Sequence, residues 1–274
     1  PKSKVVGYSL SVSTTSLHEF GKERLPEIIG NFDKLSFRKL SNAEMVRQMT
    51  GIQLPITIDP TLLADADLWD SMVNDSWKDR NFIAIYQARP VVGNNNYLKE
   101  KALVMAGEMQ CEIIDLRTME YTVEDFVSII KYAKCVLTTS YHATVFSMLM
   151  ETPCYAIKLN DGLDVRYVDL LTELGLEEEL VDMDFEPKSL TIDFSGLKDR
   201  IKRYKESSVE YLASINKLVH LTPPEGKYVP GKTLNYMVKH AKGEYIVFNN
   251  GDAIPQHKEY IKNLVAPLKN NNCD

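Results

Sequence analysis

Short apolar runs rich in β-branched and aromatic residues alternate along this chain with stretches whose apolar residues recur every three or four positions. The runs predict strands at Val5–Ser9, Lys34–Phe37, Pro55–Ile58, Phe82–Tyr86, Glu112–Asp115, Cys135–Thr138 and Cys154–Lys158. The helical stretches fall near Ala43–Met49, Leu98–Glu108, Val123–Ala133, Ala143–Met150 and Arg166–Leu174. Strand, helix, strand in that order predicts parallel α/β layers with helices on both faces of a sheet.

Two of these helices carry end signals. Thr122 precedes Val123 with Asp125 three residues on, an approximate capping box. Gly175 closes the helix that opens near Arg166, and Tyr167, Leu170, Leu171 and Leu174 give that helix a buried stripe. Beyond residue 176 the character changes. Glu177–Asp184 is acidic and reads as solvated surface. A long helix is expected over Leu197–Val219, with Leu197, Ile201, Tyr204, Leu212, Ile215 and Val219 on its apolar face. The segment His220–Pro230 holds three prolines and a glycine and reads as a boundary. A helix (Gly231–Ala241), a strand (Tyr245–Phe248), a polar turn and a final helix (Gln256–Leu268) are expected after it. The organisation that follows is a first part over residues 1–70, a second over 71–219 ending in the long helix, and a third over 220–274.

Composition narrows the class. The chain has 274 residues, of which 44% are hydrophobic and 26% charged, an ordinary soluble globular composition with enough chain for one large domain or two smaller ones. A net charge of −6 with no stripe of Lys and Arg argues against nucleic acid as a partner. No run approaches the ~18 apolar residues of a membrane span, and no secretory leader opens the sequence. Cys111, Cys135, Cys154 and Cys273 lie far apart without a CxxC pair, so buried free thiols in a reducing compartment, the cytoplasm, are expected.

Candidate chemistry gathers at Thr139-Ser140-Tyr141-His142. This stretch follows an apolar strand and feeds a helix, so it falls at the carboxyl edge of a parallel sheet, where open α/β folds bind ligands. The first N–H groups of a helix have no intrahelical partner and favour anions. Ser140 can cap the helix or hydrogen-bond a phosphate. His142 can supply a cation or a general acid, since an imidazole titrates near neutrality. The alternative is a plain N-cap and a packed ring.

The residues here resemble a known family. "TTSYHATVFSMLMETPCYAI" is similar to the T-S-F-H-G-T-x-F-S-I-L-x-x-K-P-F signature of polysaccharide pyruvyl transferases, matching at Ser140, His142, Thr144, Phe146, Ser147 and Pro153 and departing at Tyr141 and Ala143. Upstream, "FDKLSFRKLSNAEMVRQMTGIQLPITIDPTLL" resembles that family's F-x-x-I-S-V-R-E…DPTLL block. Arg38 stands as its arginine, Asp59-Pro60-Thr61 as its DPT, and Lys39 in place of the usual acid. The resemblance covers about residues 4–219. It implies GT-B-like Rossmann-type layers whose N-terminal half is incomplete here. It also implies transfer of an enolpyruvyl unit from phosphoenolpyruvate to a pair of sugar hydroxyls, giving a pyruvate ketal in bacterial surface polysaccharide. Under that reading His142 and Arg38 are the catalytic pair, and Thr139, Ser140, Lys158 and Arg166 are substrate contacts; for Lys158 a solvated charge is the competing reading. No metal or other cofactor is implied for this step. The partners are phosphoenolpyruvate and a saccharide acceptor, and a lipid-linked acceptor would bring the protein to a membrane surface.

Residues 225–274 follow another pattern. "YVPGKTLNYMVKHAKGEYIVFNNGDAIP" resembles family 2 (GT-A) glycosyltransferases, with Gly231, Asn235, Ala241, Gly243, Glu244 and Asp252 in place. That resemblance implies a partial GT-A element in which Asp252 helps bind Mg²⁺ or Mn²⁺ with a nucleotide sugar; a solvated turn aspartate is equally compatible with the residues. The chain thus reads as a gapped or truncated form of a longer bifunctional polypeptide. A nucleotide-sugar glycosyltransferase and a non-catalytic module are the rival functions.

Overall fold

The computed structural model of the protein describes residues 6–11, 19–64, 66–118 and 120–214. The expected elements of the third part, with Cys273 and Asp252, lie outside the described residues. Those residues fall into two compact units, one reaching to Asp59 and taking in the chain again from Ser207, the other running from Pro60 to Glu206.

In the first unit, β1 (Val6–Leu10) and β2 (Lys34–Phe37) pair in parallel and are linked by α1 (Glu19–Gly30). Helix α2 (Leu40–Thr50) follows and stops at Gly51, whose φ of 73° closes it in the left-handed conformation. Leu25, Ile29, Leu35, Phe37, Ala43 and Val46 form the core. The strand expected at Pro55–Ile58 is reduced to a single parallel bridge between Ile56 and Phe37. The end of the last helix belongs to this unit: Ser208 Oγ accepts the Ile58 N–H at 2.9 Å, and the Tyr211 hydroxyl donates to Gly7 O at 3.0 Å.

The second unit begins with two short helices, α3 (Pro60–Leu63) and α4 (Ala66–Asp70), and a 3-10 turn at Asp75–Trp77. Its sheet is built from β3 (Phe82–Tyr86), β4 (Glu112–Asp115), β5 (Val136–Thr138), β6 (Cys154–Ile157) and β7 (Leu180–Val181). All neighbours are parallel, in the order β4-β3-β5-β6-β7. The connecting helices are α5 (Tyr97–Met109), α6 (Val123–Tyr132), α7 (Tyr141–Leu149) and α8 (Val165–Glu173), and α9 (Leu197–Ala213) follows. Strands buried on both faces read as continuous apolar runs, which is why Phe82–Ile85 are all fully buried.

Side-chain alternation sorts the helices. Ile83, Ile85 and Leu137 pack with Leu98, Ala102 and Met105, so α5 lies on one face of the sheet. Tyr86 on the other face meets Phe126 of α6 edge-on at 5.8 Å, and Phe126 meets Phe146 of α7 at 5.8 Å. The expected capping box is present: Thr122 Oγ1 accepts from Asp125 N at 3.1 Å and Asp125 Oδ2 accepts from Thr122 N at 3.2 Å. Helix α8 ends as expected at Gly175, with φ 64°. The Gly175 N–H bonds to Thr172 O at 3.1 Å and the Leu176 N–H to Leu171 O at 2.8 Å, the paired bonds of a left-handed helix stop.

The acidic stretch after residue 176 corrects the sequence reading. Instead of solvated surface throughout, it forms a 3-10 turn at Glu177–Glu179 and the edge strand β7, and Glu179 is fully buried. Its Oε1 accepts the Cys154 N–H at 3.1 Å, and burial pushes its carboxyl up to about 8. Cys135 and Cys154 are buried free thiols, and Cys111 is a half-buried one.

Candidate functional site

The order of the second sheet creates the site. From β3 the chain steps outward to β4 by way of α5, then returns across β3 to β5 and continues to β6 and β7. The direction of winding therefore reverses between β3 and β5. Helix α5 leaves on one face and α7 on the other, and the carboxyl ends of two such strands are where open α/β sheets form their ligand crevice.

The β5–α7 turn forms one wall. Ser140 is the N-cap of α7, its Oγ accepting from Ala143 N at 3.4 Å, and its own N–H bonds to Thr138 Oγ1 at 2.9 Å. The rest of α7 is buried except His142, which is exposed on the first turn. Its ring lies edge-on to Tyr141 with centroids 5.3 Å apart, and the Arg166 guanidinium stacks over the same Tyr141 ring at 5.7 Å. Two of the residues singled out from sequence, His142 and Arg166, are thus brought to the same tyrosine from different helices. Lys158 lies just past β6; its N–H bonds to Val181 O at 2.8 Å and its Nζ pairs with Asp182 at 3.1 Å.

Thr139 faces inward. Its Oγ1 accepts the Arg89 N–H at 3.1 Å and its carbonyl accepts Arg89 Nε at 3.0 Å, so its polar groups hold the loop after β3. Arg89 is the residue that sequence reasoning passed over. Its nearly buried guanidinium pairs with Asp161 at 2.5 Å and with Asp164, and donates to the Tyr167 hydroxyl at 2.5 Å. It therefore fastens the ends of β3 and β5 to the loop after β6. Burial works to raise the Asp164 carboxyl, but hydrogen bonds from Tyr167 and Arg89 outweigh it and hold it below the usual range. The one available signal was an arginine three residues past a buried strand, before Pro90.

On the α5 side, Gln87 continues the inward face of β3. It is 5% exposed, and its Oε1 accepts the Leu98 N–H in the first turn of α5 at 3.3 Å. Its Nε2 is buried with no acceptor among the described residues.

Arg38 belongs to the first unit. It follows β2 directly, its N–H bonds to Leu10 O at 2.8 Å, and its guanidinium pairs with the buried Asp59. The two residues assigned separately to the upstream block, the arginine and the aspartate of DPT, are therefore one ion pair. Among the described residues no group of three or more His, Cys, Asp or Glu side chains is placed to hold a metal ion.

No curated protein and no solved structure matches the chain. A family model does: the one described as polysaccharide pyruvyl transferase covers residues 1–161, more than half of the 274, and ends just past β6. The glycosyltransferase resemblance lies beyond that region and gains no support from it. The turn carrying Ser140 and His142, the Arg38–Asp59 pair and strands β1 to β6 all fall within the matched span, and the chain belongs to the polysaccharide pyruvyl transferase family.

Proposed function

We propose that the protein moves the enolpyruvyl unit of phosphoenolpyruvate onto two hydroxyls of a saccharide, forming a pyruvate ketal, and that the Ser140–His142 turn receives the donor. The observation that carries this reading is the exposure of His142 alone on an otherwise buried α7, at the helix N-terminus and beside the winding reversal. A donor bearing a phosphate and a carboxylate suits that position, because helix N-terminal amides and a protonated imidazole both favour negative charge. Arg166 adds a second cation across Tyr141.

The chemistry follows from the donor. His142 in its protonated form gives a proton to the methylene carbon, leaving the adjacent carbon electron-poor. One sugar hydroxyl bonds to that carbon, the C–O bond to phosphate breaks, and the second hydroxyl closes the ketal. Of the two hydroxyl protons, one replaces the proton His142 gave and the other leaves with phosphate. General acid catalysis of this kind contributes roughly 10²–10⁴-fold. On this reading the step uses no metal and takes place in the cytoplasm, where a saccharide acceptor on a lipid carrier would be met at the membrane surface. Arg38, held by Asp59, remains the second residue that the family resemblance marks for catalysis.

The direct test is thermal. Phosphoenolpyruvate at about 100 times its Kd stabilises the native chain by about 2.7 kcal/mol and raises its Tm. An unmoved Tm with phosphoenolpyruvate would overturn this reading; a shift that instead requires a nucleotide sugar and Mn²⁺ would support the glycosyltransferase one, and no response to either ligand would support the non-catalytic module.

A further inference from the structure

We infer that Gln87 and the first turn of α5 form a second acidic-group subsite of the donor, facing the Ser140–His142 turn from the other side of the crevice. The inference rests on the functional reading above and adds a residue that neither the family signature nor the sequence reading marks.

The argument begins with the winding reversal. Helices α5 and α7 leave adjacent strands on opposite faces of the sheet, so their amino termini border one crevice from two sides. Both helices exceed two turns and present N–H groups and a partial positive charge to it. On the α7 side the N-cap hydroxyl is supplied locally by Ser140. On the α5 side the N-cap residue, Asn96, makes no side-chain cap bond, and the capping oxygen comes instead from Gln87 on the strand. A carboxamide whose oxygen is spent on Leu98 leaves its nitrogen as a donor only. That Nε2 is buried, has no acceptor among the described residues, and sits at the helix end. A buried donor without a partner destabilises the folded chain, and a ligand oxygen removes that cost.

The surroundings add one further donor. Arg117, just past β4, pairs with Asp115 at 3.2 Å and donates from Nη1 to Asn95 O at 3.4 Å, so its guanidinium borders the loop that enters α5. The acid of that first turn, Glu100, accepts from Asn94 Nδ2 at 2.8 Å. Arg89 is committed to Asp161 and Asp164. Phosphoenolpyruvate has two acidic groups, and the crevice has two helix ends: one group goes to Ser140 and His142, the other to Gln87 Nε2 and the α5 amides.

The experiment uses the full chain as wild type, Gln87→Glu and His142→Ala, titrated calorimetrically with phosphoenolpyruvate, inorganic phosphate and pyruvate. Gln87→Glu keeps an oxygen for Leu98 while turning the donor into an acceptor. It is expected to weaken phosphoenolpyruvate by about tenfold or more, the value of one hydrogen bond to a charged group. It is also expected to remove the response to only one of the two fragments, with His142→Ala removing the other; which fragment is lost tells whether Gln87 reads the phosphate or the carboxylate. Where the glutamate variant does not fold, as judged by its unliganded Tm, Gln87→Met removes the donor without adding charge. Unchanged phosphoenolpyruvate affinity in the Gln87 variant beside a loss in His142→Ala overturns this inference and leaves the functional reading intact. Absence of phosphoenolpyruvate binding to the wild type overturns both.

Discussion

Arg89 and Thr139 are joined three times over: Arg89 Nε donates to the Thr139 carbonyl at 3.0 Å, the Arg89 N–H donates to Thr139 Oγ1 at 3.1 Å, and that hydroxyl donates to Arg89 O at 3.3 Å. The pairing welds the ends of the two strands between which the winding reverses. Because the same guanidinium neutralises Asp164, Arg89→Ala leaves a nearly buried carboxylate uncompensated and is expected to cost on the order of 3–5 kcal/mol. Urea denaturation measures it. Pairing the change with Asp164→Asn should restore a large part of the loss, and a cost below about 1 kcal/mol for the single variant would show that Arg89 is not a brace. Asp164 is held low in the folded state, so its contribution is present above the ordinary carboxylate range and disappears as pH falls through its depressed value.

Glu179 works in the opposite sense. Its buried carboxyl is raised to about 8, whereas in the unfolded chain it returns to the ordinary 4.5. Between those values the folded state binds a proton that the unfolded state does not, so stability falls as pH rises through this window. Glu179→Gln retains an oxygen for the Cys154 N–H and should flatten the slope, leaving the variant more stable than wild type at pH 8 by on the order of several kcal/mol. Denaturation curves at pH 5, 6.5 and 8 decide it; parallel slopes for the two proteins would mean that the carboxyl ionises without penalty.

At the start of α6, Thr122→Ala is expected to cost about 1 kcal/mol by removing one half of the capping box. Asp125→Ala should cost more. Asp125 accepts the Thr122 N–H and also the Asn74 Nδ2 at 3.2 Å, so its loss frees the segment before β3 as well as the helix end. Equal urea midpoints for the two variants would contradict that ordering.

His142→Ala should separate chemistry from folding. The side chain is exposed, so the unliganded Tm should move little, while pyruvyl transfer from phosphoenolpyruvate to a saccharide acceptor should fall by roughly 10²–10⁴-fold. A collapse of Tm along with activity would return the ring to a packing role.

Much of the second unit was legible because its strands are buried on both faces. Continuous apolar runs placed β3 and β4 to the residue, and β5 and β6 within one residue. Thr122, Asp125 and Gly175 marked helix ends through local geometry that needs no tertiary partner. What escaped depends on distant partners. Helix α1 carries Pro26 inside it, which weakens its signal. Strand β7 and the burial of Glu179 follow from a neighbour, Cys154, 25 residues earlier. Arg89 finds its carboxylates 72 and 75 residues along, at a spacing no short motif records. The corner itself could be read as far as Ser140 and His142; Gln87 could not, since its meaning comes from a helix end that only the fold sets beside it.

Helix α7 has no solvent face apart from His142. A segment enclosed on every other side has nowhere to travel, so the imidazole it carries keeps a fixed address whatever molecule arrives. Under the proposed function, diversity in the sugars accepted would therefore come from the surrounding loops, while the corner that carries His142 stays as inflexible as the core that surrounds it.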